Sequence, residues 1–228
     1  MKKKTMYTEM AYVLGIVILA LGTALMEKAD FGMSMVVAPA YLLHLKVSQT
    51  LPFFSFGMAE YTLQAAVIVL LALVMRRFRL SYLFSFCTAV IYGFVLDGVM
   101  LLAAPLPAQG AVLRFAYYAL GMLLCSVGVS LLFHTYIAPE AYELFVKEAS
   151  QRFGVEIHRF KTGYDCVSCA VGVLMSSAFF GLWHFEGVKL GTIFCALVNG
   201  SIIGLCTRTL EAGFEFRDGL PYRKVFEG

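Results

Sequence analysis

The sequence predicts an all-α integral membrane protein of six transmembrane helices, arranged as two inverted three-helix repeats with a short extra helix after the first span of each. Three observations predict it. The 228 residues are 60% hydrophobic and only 14% charged, with a mean hydropathy of +0.79, whereas a soluble domain carries about a quarter charged residues. Six stretches are apolar over the roughly 20 residues that a helix needs to cross a bilayer core of about 30 Å. Finally, a series of glycine-centred motifs recurs in the same order in both halves of the chain.

The first span runs from about Tyr7 to Met26. The basic start Lys2, Lys3, Lys4 passes into it without the short apolar region and small-residue cleavage site of a signal peptide, so it is expected to stay in place as a span. Glu27, Lys28 and Asp30 follow, then Gly32, Ser34 and an apolar run from Met35 to Leu45 broken by Pro39. That run is too short to cross a membrane and predicts a re-entrant or interfacial helix, with Gly32 permitting the turn and Ser34 as its cap. Pointing inward, its N-terminus offers amides and a helix dipole to an anionic group; lying flat, it is only a surface helix.

Spans two and three, Gly57 to Met75 and Leu80 to Ala103, are separated by Arg76, Arg77, Phe78 and Arg79 alone, which makes a basic hairpin turn. The fourth span is Ala111 to Phe133. Pro139 to Phe153 is more polar, with Tyr142, Phe145, Ala149 and Phe153 on one face and Glu140, Glu143, Lys147 and Gln151 on the other. This predicts an amphipathic helix on the cytoplasmic side, with Pro139 in its first turn, Glu140 and Glu143 on its solvated face, and a Glu143–Lys147 surface pair. Spans five and six are Gly163 to Trp183 and Val188 to Thr207. Residues 1–210 thus form one membrane domain, with repeats at about 7–103 and 111–210 and a cytoplasmic tail over 211–228.

With the N-terminus inside, all of the 18 lysines and arginines except Lys28, Lys46, Arg114 and Lys189 fall in cytoplasmic segments. The positive-inside rule then sets both termini in the cytoplasm of a cell with this protein in its cytoplasmic membrane. Self-similarity supports the duplication. Tyr12-Val13-Leu14-Gly15 and Gly22 recur as Tyr118-Ala119-Leu120-Gly121 and Gly128, each position 106 residues later, and Gly57 stands 106 before Gly163. Ala38-Pro39-Ala40-Tyr41 is echoed by Ala138-Pro139-Glu140-Ala141-Tyr142, and Tyr92-Gly93 by Asn199-Gly200. An odd number of spans per repeat forces the second copy upside down, an architecture of secondary transporters whose substrate sits where the halves meet.

Carboxylates inside an apolar span are costly and usually line a wet path or find a partner. Glu60, Asp97 and Asp165 are such residues. Glu60 and Asp165 fall at equivalent places near the starts of spans two and five, and Asp97 lies deeper in span three. Asp30 and Ser34 in the first short segment, Asn199 as a hydrogen-bonding group across the repeat interface, and Gly191 and Thr192 at the start of span six complete the candidate path. The remaining span glycines read as helix contacts. Six cysteines all fall within predicted spans. Cys166 and Cys169 have redox spacing but no second ligand pair, so the thiols read as small buried hydrophobes. The histidines are scattered, no phosphate loop or nucleophile elbow occurs, and no basic face suits nucleic acid. An enzyme, a metal centre and a cofactor are not expected.

Leu21-Gly22-Thr23-Ala24-Leu25 leading to Ala29-Asp30-Phe31-Gly32, with the later Leu190-Gly191-Thr192-Ile193 and Asn199-Gly200, resembles the YczE/YyaS/YitT group of bacterial membrane proteins over most of residues 11 to 210. The resemblance implies a bacterial inner-membrane location and a multi-helix fold, in a group commonly described as membrane or transport proteins. Met33-Ser34-Met35 stands where the group has a Pro-containing segment. The expected activity is secondary transport or export of a small polar or anionic solute by alternating access. Two other readings are an accessory or substrate-binding subunit, acting with partner proteins through the helix at Pro139 to Phe153 or as a homo-oligomer, and a membrane thiol oxidoreductase.

Overall fold

A computed structural model describes residues 3–107, 109–181, 187–221 and 223, apart from the side chain of residue 158. The elements are β1 (Lys4–Tyr7), α1 (Thr8–Ala29), α2 (Ala38–Val47), α3 (Phe56–Met75), α4 (Leu80–Ala103), α5 (Ala111–Phe133), α6 (Ala141–Phe153), α7 (Ile157–Phe180), α8 (Leu190–Gly213) and β2 (Phe214–Arg217). Six of the helices, all but α2 and α6, are long and apolar enough to cross a membrane. A 22-residue helix such as α1 is about 33 Å long at 1.5 Å per residue, which matches a bilayer core. The protein is therefore a multi-pass helical membrane protein, and the two short helices fall where the apolar runs are too short to span.

Several boundaries differ from the sequence reading for local reasons. Helix α7 begins at Ile157, before the predicted Gly163, because Gly154 closes α6 in the left-handed region at φ 65° and the chain re-enters a helix almost at once. The predicted end of that span at Trp183 lies outside the described residues, as do parts of the tail. Ser34 does not cap α2 through its side chain; its backbone oxygen accepts from the amides of Val37 and Ala38 instead, and Val37 occupies the cap position. Pro139 stands before α6, not in its first turn; its carbonyl accepts from Ser85 Oγ while Glu140 occupies the cap. The tail is partly ordered: β2 pairs in parallel with β1, Lys4 beside Phe214 and Tyr7 beside Arg217. The segments before α1 and after α8 thus meet on one face of the bundle, which also carries the Arg76–Arg79 turn and the α5–α6 connection.

Helices α1 and α5 form the central crossing. Cys125 Sγ donates to the Leu19 carbonyl at the middle of it, two positions 106 residues apart. On either side Gly22 meets Gly121 and Gly15 meets Gly128; a Cβ added at Gly22 would stand 2.7 Å from the Gly121 oxygen and the Cys125 nitrogen. Backbone approaches this close are what small residues give membrane helices. Flanking contacts come in matching sets, with α4 packed on α1 as α8 is on α5, and α2 on α7 as α6 is on α3. Tyr12 hydroxyl bonds Thr88 in α4 at 3.0 Å, and Tyr118, 106 residues further on, donates to the Gly191 carbonyl in α8 at 2.6 Å.

Candidate functional site

The two short helices enter the bundle from opposite faces. Arg152, at the end of α6, donates to the Met75 carbonyl beside the basic turn, whereas the first amide of α6, at Ala141, donates to Gln64 Oε1. Gln64 lies 11 residues before Met75 in α3, about 17 Å along the axis, so α6 points its N-terminus into the middle of the bundle. Lys46, near the end of α2, donates to the Phe179 carbonyl at the far end of α7. The first turn of α2 reaches inward to the same region. Between the two N-termini lies an internal cavity of about 40 Å³, lined among others by Ser34, Glu140, Tyr142, Glu143, Lys161 and Asn199. That is room for a few water molecules.

The polar groups here are buried. Glu60, Gln64, Glu140, Tyr142, Glu143 and Asp165 are all below a tenth exposed. Gln64 Nε2 donates to Glu60 Oε1 at 3.3 Å and to Glu140 Oε2 at 3.1 Å, so one amide bridges two carboxyl groups. Lys161 Nζ is 3.5 Å from Asp165 Oδ1 one turn further along α7. Glu60 Oε2, Glu140 Oε1 and the Tyr142 hydroxyl have no hydrogen-bond partner at normal distance. Unsatisfied buried groups of this kind cost about 1–3 kcal/mol each and mark a site completed by something else. Burial, reinforced by the charges of Glu143 and Glu60, holds the Glu140 carboxyl well above the usual carboxylate range. Burial also raises Glu143, against the opposing pull of the Lys161 ammonium.

The solvated-face expectation for Glu140 and Glu143 is thus corrected. Both are buried, Lys147 is exposed and apart from Glu143, and the charge facing Glu143 is Lys161. The amphipathic pattern reads the same whether the polar face meets water or a polar seam, which is why sequence alone misplaces it. Of the other candidates, Ser34 and Asn199 line the cavity, though Asn199 Oδ1 accepts from Ser126 in the neighbouring α5 at 2.8 Å, not across the halves. Glu60 and Asp165 both reach the seam.

Asp97, Asp30, Gly191 and Thr192 do not. Asp97 accepts from Ser55 Oγ at 2.6 Å and the Gly57 amide at 2.8 Å, and so closes the start of α3. Asp30 is exposed, in the left-handed region at the end of α1, and pairs with Arg114 and Lys189. Gly191 packs against the Phe31 carbonyl and donates to it, and Thr192 forms the cap box of α8 with Lys189. Gln64 and Lys161 escaped the sequence reading. The signal for both was present: each stands four residues from a membrane-embedded acid, Glu60 or Asp165, the spacing that puts two side chains on one helix face. Among the described residues no group of three His, Cys, Asp or Glu side chains could hold a metal ion.

Fold and seam together define a polytopic α-helical membrane protein with a small interior site that acidic side chains help to line. The chain belongs to a family of unknown function, DUF6198, whose model matches residues 6–208. No curated protein and no solved structure matches it.

Proposed function

We propose that this protein is a secondary transporter of a small polar solute, working by alternating access between inverted repeats, with the cavity at the α2 and α6 N-termini as its solute path. The observation that carries this reading is the pair of short helices converging on a small cavity with polar groups in its lining at the α1–α5 crossing, in helix sets that repeat in order and in contacts. The crossing itself is self-complementary: Leu19 meets Cys125, and Gly15 meets Gly128 as Gly22 meets Gly121. Reciprocal contacts of this kind are what a two-fold relation generates, and transporters built this way hold substrate between the repeats.

The seam has four carboxyl groups, Glu60, Glu140, Glu143 and Asp165, against one ammonium, Lys161. That balance favours an uncharged or cationic solute over the anion that a bare helix N-terminus suggests. The resemblance to the YczE/YyaS/YitT group, a bacterial inner membrane and cytoplasmic termini belong to the same reading, supported by the basic residues on the face that carries both chain ends. A docking role for α6 has less support, since Tyr142 and Leu144 are buried and Phe145 packs near Phe160 and Tyr164.

Alternating access is tested without knowing the solute. Asn199→Cys is placed in a background lacking the six native cysteines, and oriented vesicles are treated with a membrane-impermeant maleimide from either face. Labelling from each face in separate populations is the expected result. Labelling from neither face under any condition, or simultaneous access from both, rules the carrier mechanism out.

A further inference from the structure

The cavity raises a separate question of what neutralises it, and the answer rests on the carrier reading above only for its purpose, not for its chemistry. The seam's single ammonium is committed at the α7 end, 3.5 Å from Asp165 and facing Glu143. Among the described side chains, none of positive charge stands beside Glu60 and Glu140. Their contacts within the bridge are the two N–H groups of Gln64; Glu140 Oε1 has no hydrogen-bond partner, and Glu60 faces the Tyr142 hydroxyl. A second carboxylate nearby and burial both disfavour the ionised form.

The groups facing Glu140 offer no alternative counter-charge. They are Tyr12 from α1, Glu60 from α3, Tyr92 from α4, Cys125 from α5, and Tyr142 with Glu143 from α6, with Lys161 across the cavity. The turn leading into α2 contributes Ser34, Val36 and Val37 to the lining and α8 contributes Asn199 and Ile203, none of them charged. Glu140 lines the cavity and Glu60 lies behind it, with Gln64 between.

We propose that Glu140 is an exchangeable proton site, a neutral carboxylic acid while the cavity is closed and a carboxylate once the cavity hydrates, so that the ion coupled to this protein is H⁺. The proton leaves Glu140 Oε1, the bare oxygen, to a water entering the cavity, and the O–H electron pair stays on the carboxylate. Gln64 serves either state because it donates to Oε2. Glu60 is a positioning residue: it fixes Gln64 and, by its own proximity, penalises ionisation of Glu140. Tyr142, whose hydroxyl stands beside the pair and faces Glu60, is the group ready to hydrogen-bond the carboxylate that forms.

Infrared spectroscopy of the full-length protein in lipid nanodiscs, taken through a pH series in sodium-containing and sodium-free buffer, tests this directly. The expected result is a protonated-carboxyl carbonyl band that persists at neutral pH and titrates away only in the alkaline range, unaffected by sodium. Glu140→Gln should remove one component of that band, Glu60→Gln should shift the midpoint of that component, and the exposed control Glu215→Gln should leave the band unchanged. Circular dichroism confirms folding, and Glu140→Asp, which retains the acid, should keep a titrating band with an altered midpoint. Absence of the band at neutral pH, its loss on adding sodium, or an undiminished band in Glu140→Gln overturns the proposal. The readout is independent of transport: the band without alternating maleimide access would remove the carrier reading and leave the proton site standing, and alternating access without the band would do the reverse.

Discussion

At the scale of single residues, the membrane-embedded acids divide by what meets them. Asp97 has both of its oxygens occupied, by Ser55 and the Gly57 amide, and is a structural cap supplied in trans by α4. Asp97→Ala leaves that amide and hydroxyl without their acceptor and should destabilise the fold by about 1–3 kcal/mol, read as an earlier midpoint in detergent unfolding. Substitution at the cavity should behave differently with pH. Glu140 and Glu143 titrate above the usual range in the folded protein, so the folded state holds protons that the unfolded chain has released. Their contribution is therefore present at low pH and lost as pH rises through the raised folded values. The melting temperature in nanodiscs should fall from mildly acidic toward alkaline pH, and Glu140→Gln should flatten the slope; a melting temperature that rises over this range contradicts the burial argument. The same pair also marks the limit of the sequence. Charge at every third or fourth position announces a polar face, but periodicity carries no information on whether that face meets solvent or the interior of a bundle.

Among the helices, the spans were legible because length and hydropathy alone decide them: α4 and α5 begin and end where the apolar runs do. The short helices were legible as interruptions, since neither run is long enough to cross. What the residues did not disclose was direction. That α2 and α6 aim their N-termini at each other follows from distant partners, Phe179 for Lys46 and Met75 for Arg152, which no local pattern predicts. Glycine was legible as contact but not as degree of contact. At Gly22 a methyl group would strike backbone atoms of α5 at 2.7 Å, whereas at Gly200 it would meet nothing within 4 Å. Gly22→Ala should therefore separate α1 from α5 at a cost of about 1–3 kcal/mol, while Gly200→Ala should be neutral or slightly stabilising. Parallel unfolding titrations of the two variants check the contrast, and equal effects would mean that the crossing is looser than drawn.

For the molecule as a whole, the four basic residues on the face away from the chain ends are spent on architecture. Lys28 binds the Ala104 carbonyl, Lys46 that of Phe179, Arg114 that of Ala29 and Lys189 that of Asp30. Each lies at or just beyond the end of a long helix, where bare carbonyls and the negative end of the dipole attract a cation. Their rarity on that face, read from the sequence as a sign of orientation, thus coexists with a structural duty for every one. The opposite face holds the remaining feature with a bearing on motion. There β1 and β2 form a parallel ladder in fixed register, reinforced by Glu9, which accepts from Tyr136 and from the amides of Gly219 and Leu220.

A ladder tolerates bending far better than sliding, because a slip of one residue turns every side chain to the wrong side. With the beginning of α1 stitched to the end of α8, any relative movement of the two halves resembles a pair of tongs riveted at one end. Widening is easy away from the rivet and stiff beside it, so under the proposed carrier mechanism the two mouths of the pathway should differ in how far and how readily they gape.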